Sequence, residues 1–399
     1  MREFCETWFG VRSGVPGHRA ARGSRRTGDP ISAAHHLRDL GQSLWLDYIT
    51  RGLLESGTLS RYISEFAVSG LTSNPTIFEH AIKNDGCYDD AVREKTLAGK
   101  SGEELFFELA LEDLRQAADL FRPIHGATGG IDGWVSLEVS PLLADDTAGT
   151  VEAARQLHAR ARRPNLFIKI PGTRAGLPAI EEAIFRGVPV NVTLLFSREH
   201  YLAAADAYMR GIERRIAAGL DSRVASVASI FVSRWDVAVA NRVRTELRNR
   251  LGIAIAIRTY KAYRDLLASA RWQNLAASGA RPQRLLWAST GTKDPGASDV
   301  AYVEALAAPD TIDTMPEKTL LAFADHGKAS QVMPCDGGVA EAVLQEFARE
   351  GVNVETVAAE LQREGAAAFA KSWRDLLSVI ATKGASPAQA GVAAQECGA

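Results

Sequence analysis

A lysine stands in the middle of an apolar run of the sequence. Lys169 lies in the run NLFIKI (165–170), between Ile168 and Ile170. An ammonium group is costly to bury unless it is paired or gives up its proton. Burial favours the uncharged form of an amine, which attacks carbonyl carbons and forms a Schiff base. Lys169 is therefore a candidate nucleophile, and the alternative is a lysine near its strand end whose amine reaches solvent.

Polar side chains also occur in the other apolar runs of the chain. Side chains alternate between the two faces of a β-strand, so residues two apart share a face. Asp47 and Asn74 close the first two runs. In the later runs, this alternation selects Ser136, Glu138 and Ser140; Asn191 and Thr193; and Ser229, which shares a face with Phe231. A single such residue could be an end cap or a loop contact, but so many together predict a common polar site.

A polar set of this kind can cleave a carbon–carbon bond beside a ketone. The protonated imine on Lys169 would withdraw electrons from that bond. One carboxyl group would take a hydroxyl proton, and a second would move protons through water while the imine forms. Asp47 and Glu138 fit these two roles, and the Asn and Ser side chains would orient a polyhydroxylated chain. This chemistry needs no metal ion or other cofactor.

Two basic residues follow the later strands and could bind an anionic group of the substrate. Arg234 comes after the sixth predicted strand, and Lys293 comes after the seventh in the turn STGTK. An arginine offers a bidentate grip on phosphate, and Gly291 would allow a close backbone approach. A solvated loop charge is the alternative for both residues.

Eight short β-rich runs alternate with longer amphipathic segments. The runs are SLWLDY (43–48), GLTSN (70–74), GWVSLEV (133–139), NLFIKI (165–170), VPVNVTLLF (188–196), VASVASIFV (224–232), RLLWAST (284–290) and DTIDTM (310–315). Eight β-then-α units predict an α/β fold, a parallel eight-stranded (β/α)8 TIM barrel whose strands all end at one mouth. An open doubly wound sheet is the alternative, but no GxGxxG follows the first run.

The predicted domain organisation is one barrel domain with two tails. Residues 37–385 form the barrel domain, and they exceed the about 250 residues that such a barrel needs. The surplus predicts extra helices after strands six and eight, and the segment PEKTL that follows the last strand suggests a helix capped by Thr314. Residues 1–36 are rich in Arg, Gly and Pro and are predicted to be a disordered extension. Residues 386–399 have few bulky side chains and are predicted to fray.

Charge and composition exclude several classes of function. The chain has 399 residues and a formal net charge of -2, whereas nucleic-acid binders and electrostatic membrane binders need a basic excess. No apolar run approaches the about 20 residues that span a bilayer. No HxH, HExxH or CxxC motif occurs, which argues against a zinc or iron site. A magnesium site stays open because the chain has many carboxylates, but no metal-binding residue is predicted. The four cysteines lie far apart, which predicts reduced thiols in a cytoplasmic protein.

Eight blocks of the sequence resemble the transaldolase family, and the likeness is greatest to its longer bacterial form. The blocks are LWLDYI (44–49), GLTSNPTIF (70–78), WVSLEVSP (134–141), NLFIKIPGT (165–173), PVNVTLLFS (189–197), ASIFVSR (228–234), LLWASTGTKDP (285–295) and TMPEKTLLAFADHG (314–327). The resemblance implies a (β/α)8 barrel, a cofactor-free class I aldolase mechanism and sugar phosphates as substrates. It implies transfer of a dihydroxyacetone unit from sedoheptulose 7-phosphate to glyceraldehyde 3-phosphate in the non-oxidative pentose phosphate pathway. The products would be erythrose 4-phosphate and fructose 6-phosphate.

The matching motifs also imply a role for each candidate residue. Lys169 would form the Schiff base, and Asp47 would take the proton of the carbon-4 hydroxyl group. Glu138 and Thr193 would act on a catalytic water. The substrate-binding residues implied by the resemblance are Asn74, Asn191, Ser229, Phe231, Arg234 and Ser289. Of these, the asparagines would contact hydroxyl groups, Arg234 and Ser289 would serve the phosphate, and Phe231 would line the pocket.

Two other functions stay open for the sequence. A fructose 6-phosphate aldolase-like lyase would release free dihydroxyacetone, and a non-catalytic phosphosugar-binding barrel would bind without chemistry. The long chain and the block LLWASTGTKDP favour the transferase over the lyase. The presence of Lys169, Asp47 and Glu138 argues against the binding protein. The expected assembly is a monomer or a homodimer.

Overall fold

A computed structural model describes residues 33–329 and 331–385 of the chain. Eight parallel strands pair in chain order and close into a barrel, in which β1 is hydrogen-bonded to both β2 and β8. The strands are β1 (Ser43–Asp47), β2 (Val68–Thr72), β3 (Val135–Glu138), β4 (Leu166–Pro171), β5 (Val190–Leu195), β6 (Ser226–Phe231), β7 (Arg284–Ala288) and β8 (Thr311–Met315). Each strand overlaps one predicted run, and the predicted parallel (β/α)8 barrel is confirmed.

Helices connect the strands and surround the barrel. In the described residues they are α1 (Ala33–Asp39), α2 (Arg51–Glu55), α3 (Thr58–Glu65), α4 (Pro75–Asn84), α5 (Asp89–Leu97), α6 (Gly102–Ala127), α7 (Thr147–Ala161), α8 (Gly176–Phe185), α9 (Arg198–Ala217), α10 (Ser233–Val239), α11 (Leu251–Ala268), α12 (Ala270–Ala277), α13 (Ala301–Ala305), α14 (Glu317–His326), α15 (Ala340–Arg349) and α16 (Val354–Ala385). The helices α10 to α12 follow β6, and α14 to α16 follow β8. The extra helices predicted after strands six and eight are therefore present.

The first described helix lies inside the range predicted to be an extension. Helix α1 begins at Ala33, and its residues Ala34, His35 and Leu37 are buried. Residues 33–36 therefore belong to helix α1, whose Ala33, Ala34 and Leu37 pack in the core cluster beside β1. The rest of the predicted extension, residues 1–32, and the predicted frayed tail, residues 386–399, lie outside the described residues.

Two of the four cysteines, Cys87 and Cys335, lie in the described part of the chain. Both are disulfide-bonded. The prediction of reduced thiols is wrong for these two residues. Because disulfides are rare in reducing compartments, these cysteines do not support a cytoplasmic location.

An aromatic floor, formed by Trp45, Trp134 and Phe167, fills the barrel beneath its mouth. The rings of Trp134 and Phe167 are stacked with their centroids 4.1 Å apart, and Trp45 lies 6.2 Å from Phe167. Gly70 on β2 makes room for this layer, because a Cβ atom there would lie 2.5 Å from Cε2 of Trp45. Trp45 and Phe167 each precede a site residue by two positions, so the floor lies one layer below the polar site.

The long helix α16 lies across the carboxyl ends of the strands. Its first turn is capped by Asn353, whose Oδ1 accepts a hydrogen bond from the backbone N–H of Thr356. Gln362 then donates from Nε2 to the carbonyl oxygens of Gly172, 3.1 Å away, and Leu194, 2.9 Å away. These carbonyls lie where β4 and β5 end, so the helix is tied to the mouth of the barrel.

Candidate active site

A cavity of about 370 Å³ lies at the carboxyl ends of the strands. Its lining residues are Asp47, Tyr48, Thr72, Asn74, Thr76, Ile77, His80, Lys169, Thr193, Ser229, Phe231, Arg234, Ala288, Ser289, Gly291, Lys293, Thr314, Pro316 and Phe369. Most of them come from the strand ends and the turns that follow. Eight of the ten predicted site residues are in this set, and the other two, Glu138 and Asn191, are buried next to it.

Lys169 reaches the cavity from β4 and lies between two predicted site residues. It pairs in register with Glu138 on β3 and with Asn191 on β5, so the three side chains point to the same side of the sheet. The lysine is 5% exposed. Its Nζ lies 3.2 Å from Oε2 of Glu138 and donates a hydrogen bond to the carbonyl oxygen of Ser73 at 3.1 Å. The amine is thus inside the ring of strands and held beside a carboxylate.

Asp47 ends β1 at the cavity and is held by a short chain of hydroxyl groups. Oγ1 of Thr72 donates to Oδ1 of Asp47 at 2.7 Å, and Oγ1 of Thr314 lies 2.6 Å from Oγ1 of Thr72. Because the Thr72 hydroxyl gives its proton to Asp47, the Thr314 hydroxyl is the donor in the second contact. Burial raises the pKa of Asp47, and the positive charges of Lys169 and Arg234 oppose that rise. A carboxylate with a raised pKa is suited to accept a proton.

Glu138 and Thr193 offer buried polar atoms that other side chains do not saturate. Burial raises the pKa of Glu138, although a positive charge on Lys169 opposes the rise. Oε2 of Glu138 is within ion-pair distance of Lys169, yet neither of its oxygens makes a well-directed hydrogen bond with a described residue. The Oγ1 of Thr193 also has no partner among the described residues. Buried polar atoms of this kind are normally satisfied by water or a ligand.

The side chain of Asn191 is hydrogen-bonded to neighbouring strands and does not reach the cavity surface. Its Nδ2 donates to Oγ of Ser136 at 3.1 Å, and its Oδ1 accepts from Oγ of Ser229 at 2.7 Å. This chain links β3, β5 and β6 just below the cavity. Asn191 is fully buried and does not line the cavity, whereas Ser229 does. The geometry suits Asn191 to hold Ser229 in place.

Asn74 lines the cavity where β2 turns into helix α4. Its Oδ1 accepts a hydrogen bond from the backbone N–H of Ile77 at 3.0 Å, and Pro75 occupies the first helical position. Asparagine is a preferred helix cap, and proline fits the first turn because its missing N–H would have no helical partner. The cap uses the amide oxygen, so the amide nitrogen is the group that could donate to a substrate hydroxyl.

A basic and aromatic side of the cavity follows β6 and β7. The guanidinium carbon of Arg234 lies 5.0 Å from the ring centre of Phe231 and 5.8 Å from that of Phe369. Burial lowers the pKa of Arg234, and the negative charges of Asp47 and Glu138 oppose this. An arginine stays protonated in proteins all the same, so this side of the cavity carries a fixed positive charge.

Ser289 stands on the same side in an unusual backbone conformation. Its φ is 58°, in the left-handed region that non-glycine residues rarely adopt, and its Oγ lies 2.9 Å from Oγ of Ser233. The neighbouring Thr290 donates to Oδ1 of Asp313 at 2.8 Å, which fixes the turn from behind. Ser289, Gly291 and Lys293 all face the cavity from this turn. Strained residues that the surroundings hold in place are frequent at ligand sites.

Comparison with known proteins shows the family of the chain. The sequence profile of the family described as Transaldolase/Fructose-6-phosphate aldolase matches residues 44–380. The chain belongs to this family. A protein named Transaldolase from Saccharopolyspora erythraea is 48% identical over 354 residues, which are 86% of this chain and 95% of the relative. Another from Thermobifida fusca is 46% identical over 359 residues, 88% of this chain and 98% of the relative.

A more distant relative carries the same name. Transaldolase 2 from Nostoc punctiforme is 40% identical over 367 residues, which are 87% of this chain and 96% of the relative. Residues 44–380, which the family profile matches, include every predicted site residue. The resemblance seen in the eight sequence blocks is thereby confirmed at the level of the family.

Of the cavity residues in this transaldolase-family chain that were not among the predicted site residues, three lie close to the candidate catalytic side chains. Thr72 precedes the predicted site residue Asn74 by two positions, so strand alternation could have selected it. Thr314 was expected to cap the helix that follows the last strand. Its side chain instead faces the barrel and contacts Thr72, and Pro316 is the residue that precedes that helix, α14. Phe369 comes from α16, and no local sequence signal distinguishes it from other apolar residues of that helix.

Two further features of the described chain bear on its surroundings. Within residues 33–329 and 331–385, no group of three or more His, Cys, Asp or Glu side chains is arranged to hold a metal ion. None of the described helices combines the length and the apolar character that crossing a membrane would require.

Proposed function

We propose that this protein is a transaldolase that transfers a dihydroxyacetone unit between sugar phosphates in the non-oxidative pentose phosphate pathway. The donor is sedoheptulose 7-phosphate and the acceptor is glyceraldehyde 3-phosphate. The products are erythrose 4-phosphate and fructose 6-phosphate. One observation carries the proposal: the buried amine of Lys169 lies 3.2 Å from a carboxylate oxygen of Glu138 and lines a cavity together with a second, half-buried carboxylate, Asp47.

In the first step, the amine of Lys169 bonds to the ketone carbon of the donor. The adduct is a carbinolamine, which loses its hydroxyl group as water when a proton is supplied, and the nitrogen lone pair forms the C=N bond. Glu138 and Thr193 are suited to hold the water that carries these protons, because their buried oxygens lack other partners among the described residues. Burial raises the pKa of Glu138, which makes its carboxylate a better proton acceptor than an ordinary glutamate.

In the second step, Asp47 removes the proton of the carbon-4 hydroxyl group. The electron pair of the bond between carbons 3 and 4 moves toward the iminium nitrogen, and erythrose 4-phosphate leaves with a new carbonyl group. The enamine that stays on Lys169 attacks the aldehyde of glyceraldehyde 3-phosphate, and Asp47 returns its proton to the new hydroxyl group. Hydrolysis of the imine, by the reverse of the first step, releases fructose 6-phosphate.

The substrate contacts follow from the two sides of the cavity. Asn74 and Ser229 face the region around Lys169 and are suited to hold hydroxyl groups, with Asn191 holding Ser229 from behind. Arg234 and Ser289 are suited to bind the phosphate, and the nearby ammonium of Lys293 adds a further positive charge. Phe231 lines the wall between these regions and stacks near the guanidinium of Arg234.

The lyase is the second candidate, because the matching family description includes fructose 6-phosphate aldolase. The names of the full-length relatives favour the transferase. The two activities differ in what reacts with the enamine. In a transaldolase the enamine attacks an acceptor aldehyde, whereas in a lyase it takes up a proton and water then hydrolyses the imine. An assay of fructose 6-phosphate consumption with and without erythrose 4-phosphate separates them. A transaldolase needs the acceptor, whereas a lyase releases free dihydroxyacetone at the same rate without it.

Borohydride trapping tests the central claim. Incubation with fructose 6-phosphate and borohydride should reduce an imine on Lys169, and peptide mass mapping should place the adduct there. Lys169→Met should abolish both the adduct and turnover, while Lys371→Met should leave both unchanged, because Lys371 is an exposed residue of α16 paired with Asp375. An adduct on another lysine, or none with active protein, would contradict the proposal.

The place and assembly of the enzyme are part of the proposal. We propose a cytoplasmic enzyme that acts as a monomer or a homodimer, because phosphorylated sugars are charged and do not cross a bilayer unaided. Light scattering of the purified chain measures its mass and therefore its assembly. Cell fractionation measures its location, and a count of free thiols under non-reducing conditions measures the redox state of its cysteines. A secreted, fully oxidised protein would contradict the cytoplasmic location.

A further inference from the structure

Helix α16 contributes one aromatic ring to the active-site cavity. The side chain of Phe369 lines the cavity and is 4% exposed. Its ring centre lies 5.8 Å from Nζ of Lys169 and 5.8 Å from the guanidinium carbon of Arg234. A cation within about 6 Å of an aromatic ring is attracted by the negative charge of the ring face. Phe369 is therefore within reach of two of the basic side chains that line the cavity, Lys169 and Arg234.

The ring is held in place by contacts on both sides of it along the helix. Before it, Gln362 is bonded to the carbonyls of Gly172 and Leu194. After it, Oγ of Ser372 lies 2.8 Å from Oγ1 of Thr76, and Nε1 of Trp373 donates to Oε1 of Glu103 at 2.7 Å. These bonds tie the helix to the ends of β4 and β5 and to the first turns of α4 and α6, so the ring is preorganised rather than free to move away.

Gly365 adds a steric reason for the position of the helix. A Cβ atom at Gly365 would lie 2.9 Å from Cδ2 of Leu194 and 3.4 Å from Nη1 of Arg234. The absence of a side chain at this position lets the helix approach both β5 and the guanidinium group. One turn further along the same helix, Phe369 then meets that guanidinium group.

The charge on Lys169 changes during the reaction, and a neighbouring cation opposes one of the changes. In the carbinolamine the nitrogen is neutral. When the C–O bond breaks, its electron pair leaves with the hydroxyl group as water, and the nitrogen lone pair becomes the second C–N bond. The nitrogen thereby gains a positive charge in a buried cavity that already contains the cation of Arg234. Like charges repel more strongly in a buried site than in water.

We propose that Phe369 is a further catalytic residue of this site, whose ring stabilises the positive charge of the imine on Lys169 next to Arg234. The inference rests on the proposed Schiff-base function and extends it to a residue outside the barrel strands. The ring attracts the charged imine and the guanidinium, but not the neutral carbinolamine. It therefore shifts the dehydration equilibrium toward the imine.

The test measures the imine directly and keeps the shape of the cavity. Phe369→Leu retains an apolar side chain of similar reach and removes the ring, and Phe369→Tyr retains the ring. At saturating fructose 6-phosphate, the Leu variant should trap less imine with borohydride, and its turnover with acceptor should fall about tenfold, which corresponds to about 1.4 kcal/mol. The Tyr variant should stay near the parent in trapped imine. Equal losses in the Leu and Tyr variants would overturn the inference.

A second series separates charge stabilisation from packing. Replacement of Phe369 by mono-, di- and trifluorophenylalanine weakens the attraction of the ring for cations stepwise and changes its shape little. The trapped fraction should fall with each fluorine, and an unchanged fraction across the series would overturn the inference. Phe347→Leu is the control for lost packing, because Phe347 is a buried residue of the same apolar cluster on α15 and does not line the cavity.

The failure of this inference is distinct from a failure of the proposed function. If the parent protein traps no imine on Lys169, the Schiff-base function itself is wrong. If the parent traps the imine and the Leu and fluorinated variants trap as much, only the role of Phe369 is wrong. Thermal unfolding of each variant shows whether α16 is still docked, because undocking would lower the midpoint in the Leu variant and leave the fluorinated series near the parent.

Discussion

Oε2 of Glu138 lies 3.2 Å from Nζ of Lys169, and the two residues are direct neighbours across β3 and β4. The carboxylate therefore sits within reach of both the amine and any water that bonds to it. Such proximity lets one group accept the proton that the other must lose. The same pairing also means that removal of either partner leaves a buried charge without its counter-charge.

We expect Glu138→Gln to slow imine formation by about 10² to 10⁴-fold, the range of general acid–base contributions. The amide keeps the shape of the side chain but cannot accept the proton. Rapid-quench borohydride trapping measures the rate at which the adduct on Lys169 appears. Glu152→Gln is the control, because Glu152 is an exposed residue of α7 paired with Arg155. Adduct formation at the parent rate would remove Glu138 from the imine step.

We expect Asp47→Asn to block cleavage after the imine has formed. The proposed role of Asp47 is to take the carbon-4 hydroxyl proton, which is needed only once the donor is attached. Turnover should fall by about 10² to 10⁴-fold, while the trapped adduct with fructose 6-phosphate stays as abundant as in the parent. Mass mapping should find the whole six-carbon chain on Lys169. A three-carbon adduct would show that another group takes the proton.

We expect Arg234→Ala to weaken the binding of phosphorylated substrates more than it affects turnover. The guanidinium group lines the cavity beside Ser289 and Lys293 and offers paired donors to a phosphate. KM for fructose 6-phosphate should rise, whereas kcat/KM for unphosphorylated fructose should change little. Arg223→Ala is the control, because Arg223 is exposed and paired with Asp221. An equal effect on both ketoses would indicate that Arg234 does not bind the phosphate.

The sequence predicted the barrel and most of its site because both follow from local patterns. The apolar run around it marked Lys169, strand alternation selected Glu138, and their register in a parallel sheet makes them neighbours. The same patterns do not predict a side chain whose place in the site depends on an element far away in the sequence. Thr314 has the spacing of a helix cap, but the barrel turns its hydroxyl toward Thr72. Helical periodicity marks Phe369 as apolar, and it cannot tell which strand ends the helix will cross.

We expect the stability of the protein to depend on the charge of Asp313. Asp313 is a buried residue of β8, and its burial raises its pKa to about 7. Of its two carboxylate oxygens, only Oδ1 has a hydrogen-bond partner among the described residues. The unfolded chain would titrate this group near its ordinary value of about 3.9. The folded state therefore binds more protons between these values, so this group lowers the free energy of unfolding as the pH rises from about 4 to about 7.

Asp313→Asn should remove this part of the pH dependence. The amide oxygen can still accept the hydrogen bond from Thr290, and the variant carries no buried charge above neutral pH. Urea unfolding at about pH 5 and about pH 8 should show a smaller difference in the variant than in the parent. Asp265→Asn is the control, because Asp265 is exposed and paired with Lys261. Identical pH dependence in the Asp313→Asn variant and the parent would contradict the prediction.

We expect Gly70→Ala to destabilise the barrel by about 1 to 3 kcal/mol, the usual cost of overpacking a core. The added Cβ atom would lie 2.5 Å from Cε2 of Trp45, which cannot turn away because its Nε1 donates to Oδ1 of Asp132 at 2.8 Å. A shift of Trp45 would also move Asp47, two residues along β1, so turnover should fall with the midpoint of urea unfolding. Gly126→Ala in α6 is the control, because a Cβ atom there meets nothing within 4 Å and should be neutral or slightly stabilising. Equal stability of the two variants would mean that the aromatic floor can yield at Gly70.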